Sequence, residues 1–220
     1  MPEPAALPAP PPAVEAIAVL HVDDSLIIID KPAGLLAVPG RREADCAWAR
    51  VARELPDAMI VHRLDQATSG LMVLARGAAM QRALSIAFAS QQVRKGYEAV
   101  VHGVAADHEG VIDAPLAADW PNRPRQRIDR HTGKPSRTHW RVLACDETTH
   151  HTRLWLEPQT GRSHQLRVHL ASIGHAIVGD TLYGPADSAA EPRMLLHAAQ
   201  LAFAHPLHGA PLSFTSPAPF

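Results

Sequence analysis

The chain has 220 residues, 46% of them apolar, with a formal charge of -1 and an isoelectric point near 6.9. That is enough apolar chain to bury a full core in one domain, but the near-neutral average is not the overall basic character of many nucleic-acid binders. No apolar run approaches the roughly 18 residues needed to span a bilayer, so a cytoplasmic protein with no membrane contact is expected. Residues 1 to 14 carry six prolines and no Lys or Arg. They match neither a secretory signal nor a transit peptide, and residues 1–16 are expected to form a disordered Pro/Ala-rich tail ahead of a domain spanning 17–220. Cys46 and Cys145 are far apart in sequence and read as reduced thiols.

In chain order, strands are expected at about 17–21 and 26–30, a helix at 45–54, a strand at 71–76 and a helix at 78–90. Strands follow at 97–104, 110–113, 136–144 and 152–157, then a helix at 163–173. Consecutive strands, as at 136–144 and 152–157 across the polar turn 146–151, read as hairpins. The fold class expected is therefore α+β, a mixed and largely antiparallel sheet flanked by helices, without regular βαβ alternation. Between 121 and 141 lie seven basic residues (Arg123, Arg125, Arg127, Arg130, Lys134, Arg137, Arg141) against the single acid Asp129. Composition alone allows a solvated loop; Pro121, Pro124, Gly133 and Pro135 also suit an exposed arm lying along a phosphate backbone.

The densest signal is residues 62–70, His-Arg-Leu-Asp-Gln-Ala-Thr-Ser-Gly, a polar stretch leading into the apolar run 71–75. Such a run reads as a strand buried on both faces, which places Arg63 and Asp65 where an unpaired charge is costly. Taken alone, Arg-x-Asp is an ion pair at a strand end. The stretch, however, closely resembles the catalytic motif of the RluA family of RNA pseudouridine synthases. Four further segments resemble the same family in order: Lys-Pro-Ala-Gly at 31–34, Lys-Gly-Tyr-Glu at 95–98, Gly-Arg-Ser-His-Gln-Leu-Arg-Val-His at 161–169 continuing through 174–184, and Arg-Met-Leu-Leu-His-Ala at 193–198. The likeness runs from about residue 17 to the end. Segments 119–124 and 132–135 resemble the RluA type itself, which modifies a 23S rRNA stem-loop and the anticodon stem-loop of certain tRNAs. The S4-type domain of larger relatives is not expected.

The resemblance implies a long mixed sheet with the active site in a central cleft. It makes Asp65 the catalytic carboxylate, Arg167 its partner, and Tyr97 the ring that stacks on the target base and joins proton transfer at carbon 5. Arg63 is expected to fill the space left by a flipped-out uridine. Leu195 or Leu196 is expected to pack under the base and exclude water. His62, Lys31 and Arg162 join them as substrate-binding candidates, and Arg123, Arg125 and Arg127 as phosphate contacts. Without the motifs, Tyr97 would be core packing, Arg167 a helix-surface residue and Leu195 plain core. The 14 histidines show no metal-ligand spacing, and an isomerisation implies no cofactor. A monomer acting on rRNA or tRNA stem-loops is expected. The alternatives are a relative restricted to one RNA class, a glycosylase using Asp65 to release the base, and a non-catalytic RNA-binding module.

Overall fold

The computed structural model describes residues 17–220; the expected tail at 1–16 lies outside the described residues. In chain order the elements are β1 (Ala18–Val22), β2 (Leu26–Lys31), α1 (Ala47–Ala52), β3 (Ala58–Ile60), β4 (Ser69–Arg76), α2 (Gly77–Ala89), β5 (Arg94–His102), β6 (Glu109–Asp113), β7 (Leu116–Ala118), β8 (Gln126–Ile128), β9 (Arg137–Asp146), β10 (His151–Pro158), α3 (Gln165–Ser172), β11 (Leu196–Ala204) and β12 (Pro211–Thr215).

The apolar runs of β2 and β4 are paired antiparallel, Ile28 opposite Val73 and Ile29 opposite Met72, and both strands are buried on both faces. Side chains alternate across a strand. Ile27, Ile29, Met72 and Leu74 therefore point to one face, packed with Ala47 and Val51 of α1. Leu26, Ile28, Leu71, Val73 and Ala75 point to the other, packed with Leu84 of α2. A helix on each face is what removes both sides of this strand pair from water.

One ten-stranded sheet runs β1-β2-β4-β11-β5-β10-β9-β6, with β3 beside β4 and β12 beside β11. Every pairing is antiparallel except β4 with β11, where Ser69 faces His197 and Gly70 faces Ala198. This is the mixed, largely antiparallel α+β sheet expected. The parallel contact depends on Gly70, whose φ of +111° and lack of a side chain are both required: a Cβ there would lie 2.4 Å from the Ala198 carbonyl oxygen. A third core of Ala99, Val101, Leu154, Leu156 and Leu196 is closed by Leu166 and Leu170 of α3.

Strands 71–76 and 152–157, the 146–151 hairpin turn and the three helices fall close to expectation. Five strands were not expected: β3, β7, β8, β11 and β12. In β11 the sequence Leu-His-Ala-Ala-Gln-Leu-Ala-Phe-Ala carries four alanines and no β-branched residue, so local preference gives no strand signal, and pairing with β4, β5 and β12 decides. β7 and β8 are only three residues each and form a separate hairpin, Leu116 opposite Ile128, of which β8 and the connection before it fall in the basic segment read as a loop or exposed arm. Among the described residues no helix is long and apolar enough to cross a membrane.

Candidate active site

Asp65 sits in the connection between β3 and β4, just before the buried strand begins, with its side chain 22% exposed. Its loop is held from below. The backbone carbonyl of Gln66 accepts from Gly34 N–H at 2.9 Å, and the Gln66 amide donates to Gly34 O at 3.0 Å. Lys31, fully buried at the end of β2, donates from Nζ to the carbonyls of Pro32 at 2.8 Å, Leu35 at 2.8 Å and Gln66 at 3.1 Å. All three ammonium protons are thereby placed on carbonyls. Burial lowers the Lys31 pKa to about 8, opposed by the negative charge of Asp65. Lys31 does not line the cleft. The structure places it as the post under the Asp65 loop, away from the expected substrate position.

Arg167 projects from α3 and is 6% exposed, not the helix-surface residue its position alone would suggest. Its first partner is Asp180, which is fully buried and takes two parallel hydrogen bonds, Nε to Oδ2 and Nη2 to Oδ1, each 2.7 Å. Asp180 Oδ1 also accepts the backbone N–H groups of Leu182 at 2.9 Å and Tyr183 at 3.1 Å. The third guanidinium nitrogen, Nη1, reaches Asp65 Oδ2 at 3.4 Å. Burial is the largest single influence and works against the Arg167 charge, but the Asp180 hydrogen bonds together with the negative charges of Asp180 and Asp65 outweigh it and hold its pKa above the ordinary value.

His164 Nε2 lies 3.9 Å from the same Asp65 oxygen. Both contacts fall on Oδ2, so Oδ1 is the oxygen available for chemistry. Arg63 is exposed on the cleft rim and is not the ion-pair partner of Asp65. Tyr97 on β5 packs against the third core beside the same cleft. Burial, and then the negative charge of Asp65, push its phenol pKa up, so the ring presents a protonated hydroxyl. That hydroxyl has no hydrogen-bond partner among the described residues.

His62 is stacked on Phe88, ring centroids 4.5 Å apart, and its Nε2 accepts from Val73 N–H at 3.1 Å. A nitrogen that accepts carries no proton, so the ring is neutral with its hydrogen on Nδ1. Burial, helped by the positive charge of Lys95, lowers the His62 pKa to about 3.

These side chains face one cleft of about 420 Å³, within the usual range for a small-ligand site. Asp65, Tyr97, Arg167, His62, Arg63 and Arg162 line it, with Leu196 as apolar wall. Of the expected leucine pair, Leu196 is the one on the cleft; Leu195 is only half-buried and lies outside the lining. Arg123, Arg125 and Arg127 are exposed on the β7–β8 hairpin. Arg123 stacks 4.5 Å over Trp120, which is itself 66% exposed. Arg127 is paired with Asp129 at 3.0 Å. Three residues of the site are not singled out by the sequence: Asp180, Tyr183 and His164. Each lies within the 161–184 motif, but only the tertiary contacts distinguish them from their neighbours. Among the described residues, no group of three His, Cys, Asp or Glu could hold a metal ion.

A carboxylate with one oxygen held by a guanidinium, beside a protonated phenol and an apolar wall, can attack or deprotonate a bound organic group away from bulk water. Residues 25–172 match the family model described as RNA pseudouridylate synthase. The chain is 45% identical over 215 residues to the dual-specificity RNA pseudouridine synthase RluA of Escherichia coli K12, covering 96% of this chain and 97% of the relative. It is 46% identical over 199 residues to the protein of that name from Vibrio cholerae, covering 89% and 80%. The solved structure of human RNA pseudouridylate synthase domain containing 1 superposes with a TM-score of 0.80 at 25% identity, covering 96% of this chain and 87% of the human one. A matched motif set, a shared fold and this degree of identity have one reading: the chain belongs to the RluA family of RNA pseudouridine synthases.

Proposed function

We propose that this RNA pseudouridine synthase is of dual specificity, isomerising uridine both in a 23S rRNA stem-loop and in a tRNA anticodon stem-loop, with Asp65 as the catalytic carboxylate. The name carried by the bacterial relatives supports the dual specificity. The observation that carries the Asp65 assignment is its position, Oδ2 tied to Arg167 at 3.4 Å and the carboxylate opening on a cleft shared with Tyr97 and Leu196. The uridine flips out of its loop, Arg63 at the rim takes its place in the RNA, and Leu196 packs against the base. Asp65 acts on the sugar or base to free the glycosidic bond. The detached uracil turns against Tyr97 and rejoins through carbon 5, and the hydroxyl of Tyr97 takes part in moving the carbon 5 proton. Leu196 and the closed fit keep out water that would otherwise capture the sugar. Arg162 and neutral His62 line the cleft. Arg123, Arg125 and Arg127 contact phosphate. The protein works as a cytoplasmic monomer, with residues 17–220 as its catalytic domain and no cofactor.

The test is to map pseudouridine in rRNA and tRNA from cells lacking the gene, then restore wild type or Asp65→Asn. Sites in both RNA classes disappear and return only with wild type. Purified Asp65→Asn binds RNA but turns over slower by about a thousandfold or more. Loss of sites in one RNA class alone overturns dual specificity, substantial turnover by the variant overturns Asp65, and release of free uracil by the wild type points to a glycosylase.

A further inference from the structure

Tyr183 joins the basic hairpin to the catalytic carboxylate. Its hydroxyl accepts the backbone N–H of Gln126, the first residue of β8, at 2.7 Å. The same oxygen is 2.7 Å from His164 Nδ1, with the two rings edge to face at 82°. A phenol has one proton. With Gln126 donating to the oxygen, that proton is assigned to His164 Nδ1, because the opposite tautomer would turn the Nε2 lone pair towards the Asp65 carboxylate; Nε2 is then the N–H that faces Asp65 Oδ2 at 3.9 Å. A chain of donors therefore runs from the backbone of the hairpin through Tyr183 to His164, whose Nε2–H faces Asp65 across 3.9 Å. The Tyr183 ring also carries two cations, Arg125 of the hairpin connection at 5.3 Å and Arg167 of the site at 5.2 Å.

The backbone of His164 points the same way. It adopts a left-handed conformation, φ 54° and ψ 19°, immediately before α3, which costs a non-glycine residue free energy and persists where surrounding contacts hold it. The 3.9 Å separation is too long for a hydrogen bond and about 1 Å from one. Closing it takes a shift of about 1 Å at His164, the residue that the Tyr183 ring links to the hairpin.

We propose that Tyr183 is a positioning residue that, through His164, couples the seating of the β7–β8 hairpin on RNA to the orientation of the Asp65 carboxylate. RNA held by Arg123 and Arg125 draws the hairpin into place, and His164 Nε2–H then completes the fixing of Oδ2, leaving Oδ1 aimed at the uridine. The inference rests on the reading of the hairpin as a phosphate-contacting arm, so its test separates the two.

The full chain is assayed on two RNAs with the same substrate loop: the tRNA anticodon stem-loop with its complete stem, and one trimmed to too few base pairs to reach the hairpin. Dissociation constant and single-turnover rate at saturating RNA are both measured. For wild type, trimming weakens binding and also lowers the saturating rate by about tenfold. Tyr183→Phe keeps the ring and both cations but not the link; it binds the full stem-loop within about twofold of wild type, is already slow by about tenfold, and slows no further on trimming. His164→Asn, chosen because Asn tolerates the left-handed backbone, behaves in the same way, and the double variant is no slower than either single one. A purely structural tyrosine would lower melting temperature and affinity without abolishing the effect of trimming. Should Tyr183→Phe prove unstable, His164→Asn carries the test alone. A wild-type saturating rate for Tyr183→Phe, or equal slowing of wild type and variant on trimming, overturns the coupling and leaves the arm standing. Unchanged affinity when Arg123, Arg125 and Arg127 are replaced together by Gln removes the arm, and the coupling with it.

Discussion

Replacing Arg167 with Met separates what the guanidinium does for the fold from what it does for the reaction. In the wild type, Asp180 has no exposed side-chain surface and receives two 2.7 Å hydrogen bonds from Arg167. Arg167→Met leaves that carboxylate with only the N–H groups of Leu182 and Tyr183. Breaking a buried pair from one side costs about 3–5 kcal/mol. For a protein of this size each kcal/mol moves the melting temperature by about 2–4 °C, so a fall of about 6–20 °C is expected. Asp65, 22% exposed and 3.4 Å from Arg167, contributes far less to that loss. A second change, Asp180→Asn, removes the orphaned charge. Both backbone donors fall on Oδ1, so one amide oxygen keeps them, and the double variant should recover to within about 1–2 kcal/mol of wild type. Activity does not recover, because Asp65 still lacks Nη1. Thermal unfolding and single-turnover assays on the three proteins check this. Wild-type melting for Arg167→Met, or a double variant less stable than the single one, refutes the reasoning.

Tyr97→Phe keeps the ring against the base and removes the hydroxyl, so RNA affinity should stay near normal while the product-forming step slows by about tenfold to a hundredfold, measured in single turnover; a normal rate restricts Tyr97 to stacking. Replacing Arg123, Arg125 and Arg127 together with Gln should reduce the log-log salt slope of RNA affinity by about 0.7–0.9 for each phosphate no longer neutralised. Because Arg127 is already paired with Asp129, its share should be the smallest of the three, which single substitutions would reveal. His62, with its pKa at about 3 against an ordinary 6.5, makes stability pH-dependent. Between those values the unfolded chain binds a proton that the folded protein does not, so stability falls as pH drops from 6.5 towards 3. His62→Gln retains an acceptor for Val73 N–H and should flatten that part of a denaturation-versus-pH curve; an unaltered slope would assign it to other groups.

The strands best legible in the sequence are those whose own residues demand burial. Leu26 to Ile29 and Leu71 to Ala75 have no polar side to offer water, and both lie in the interior. β11 is not legible because its alanines suit several conformations and its place between β4 and β5 is set by pairing with residues roughly a hundred or more positions earlier in the chain. The same division holds at the site. Asp65, Tyr97 and Arg167 stand out through resemblance, and they do share a cleft. Their supports do not. Asp180 sits thirteen residues after Arg167 with no local pattern linking them, and the burial of Arg167 runs against what a charged residue on a short helix suggests. Lys31 misleads in the other direction: a motif lysine in an RNA-modifying enzyme invites a phosphate, yet its ammonium is consumed by three carbonyls.

The position of β11 also governs when the enzyme can exist during its own synthesis. Without residues 196–204 the sheet is two separate pieces, β1-β2-β4 with β3 and β5-β10-β9-β6, each ending in an unpaired edge. Asp65 belongs to the first piece and Tyr97 to the second, and Leu196 arrives with the missing strand. A ribosome must therefore release the chain through residue 204 before the three can meet. Until then the nascent protein holds two open sheet edges that only its own late strand is shaped to close, which is the interval in which it most needs protection from pairing with another chain.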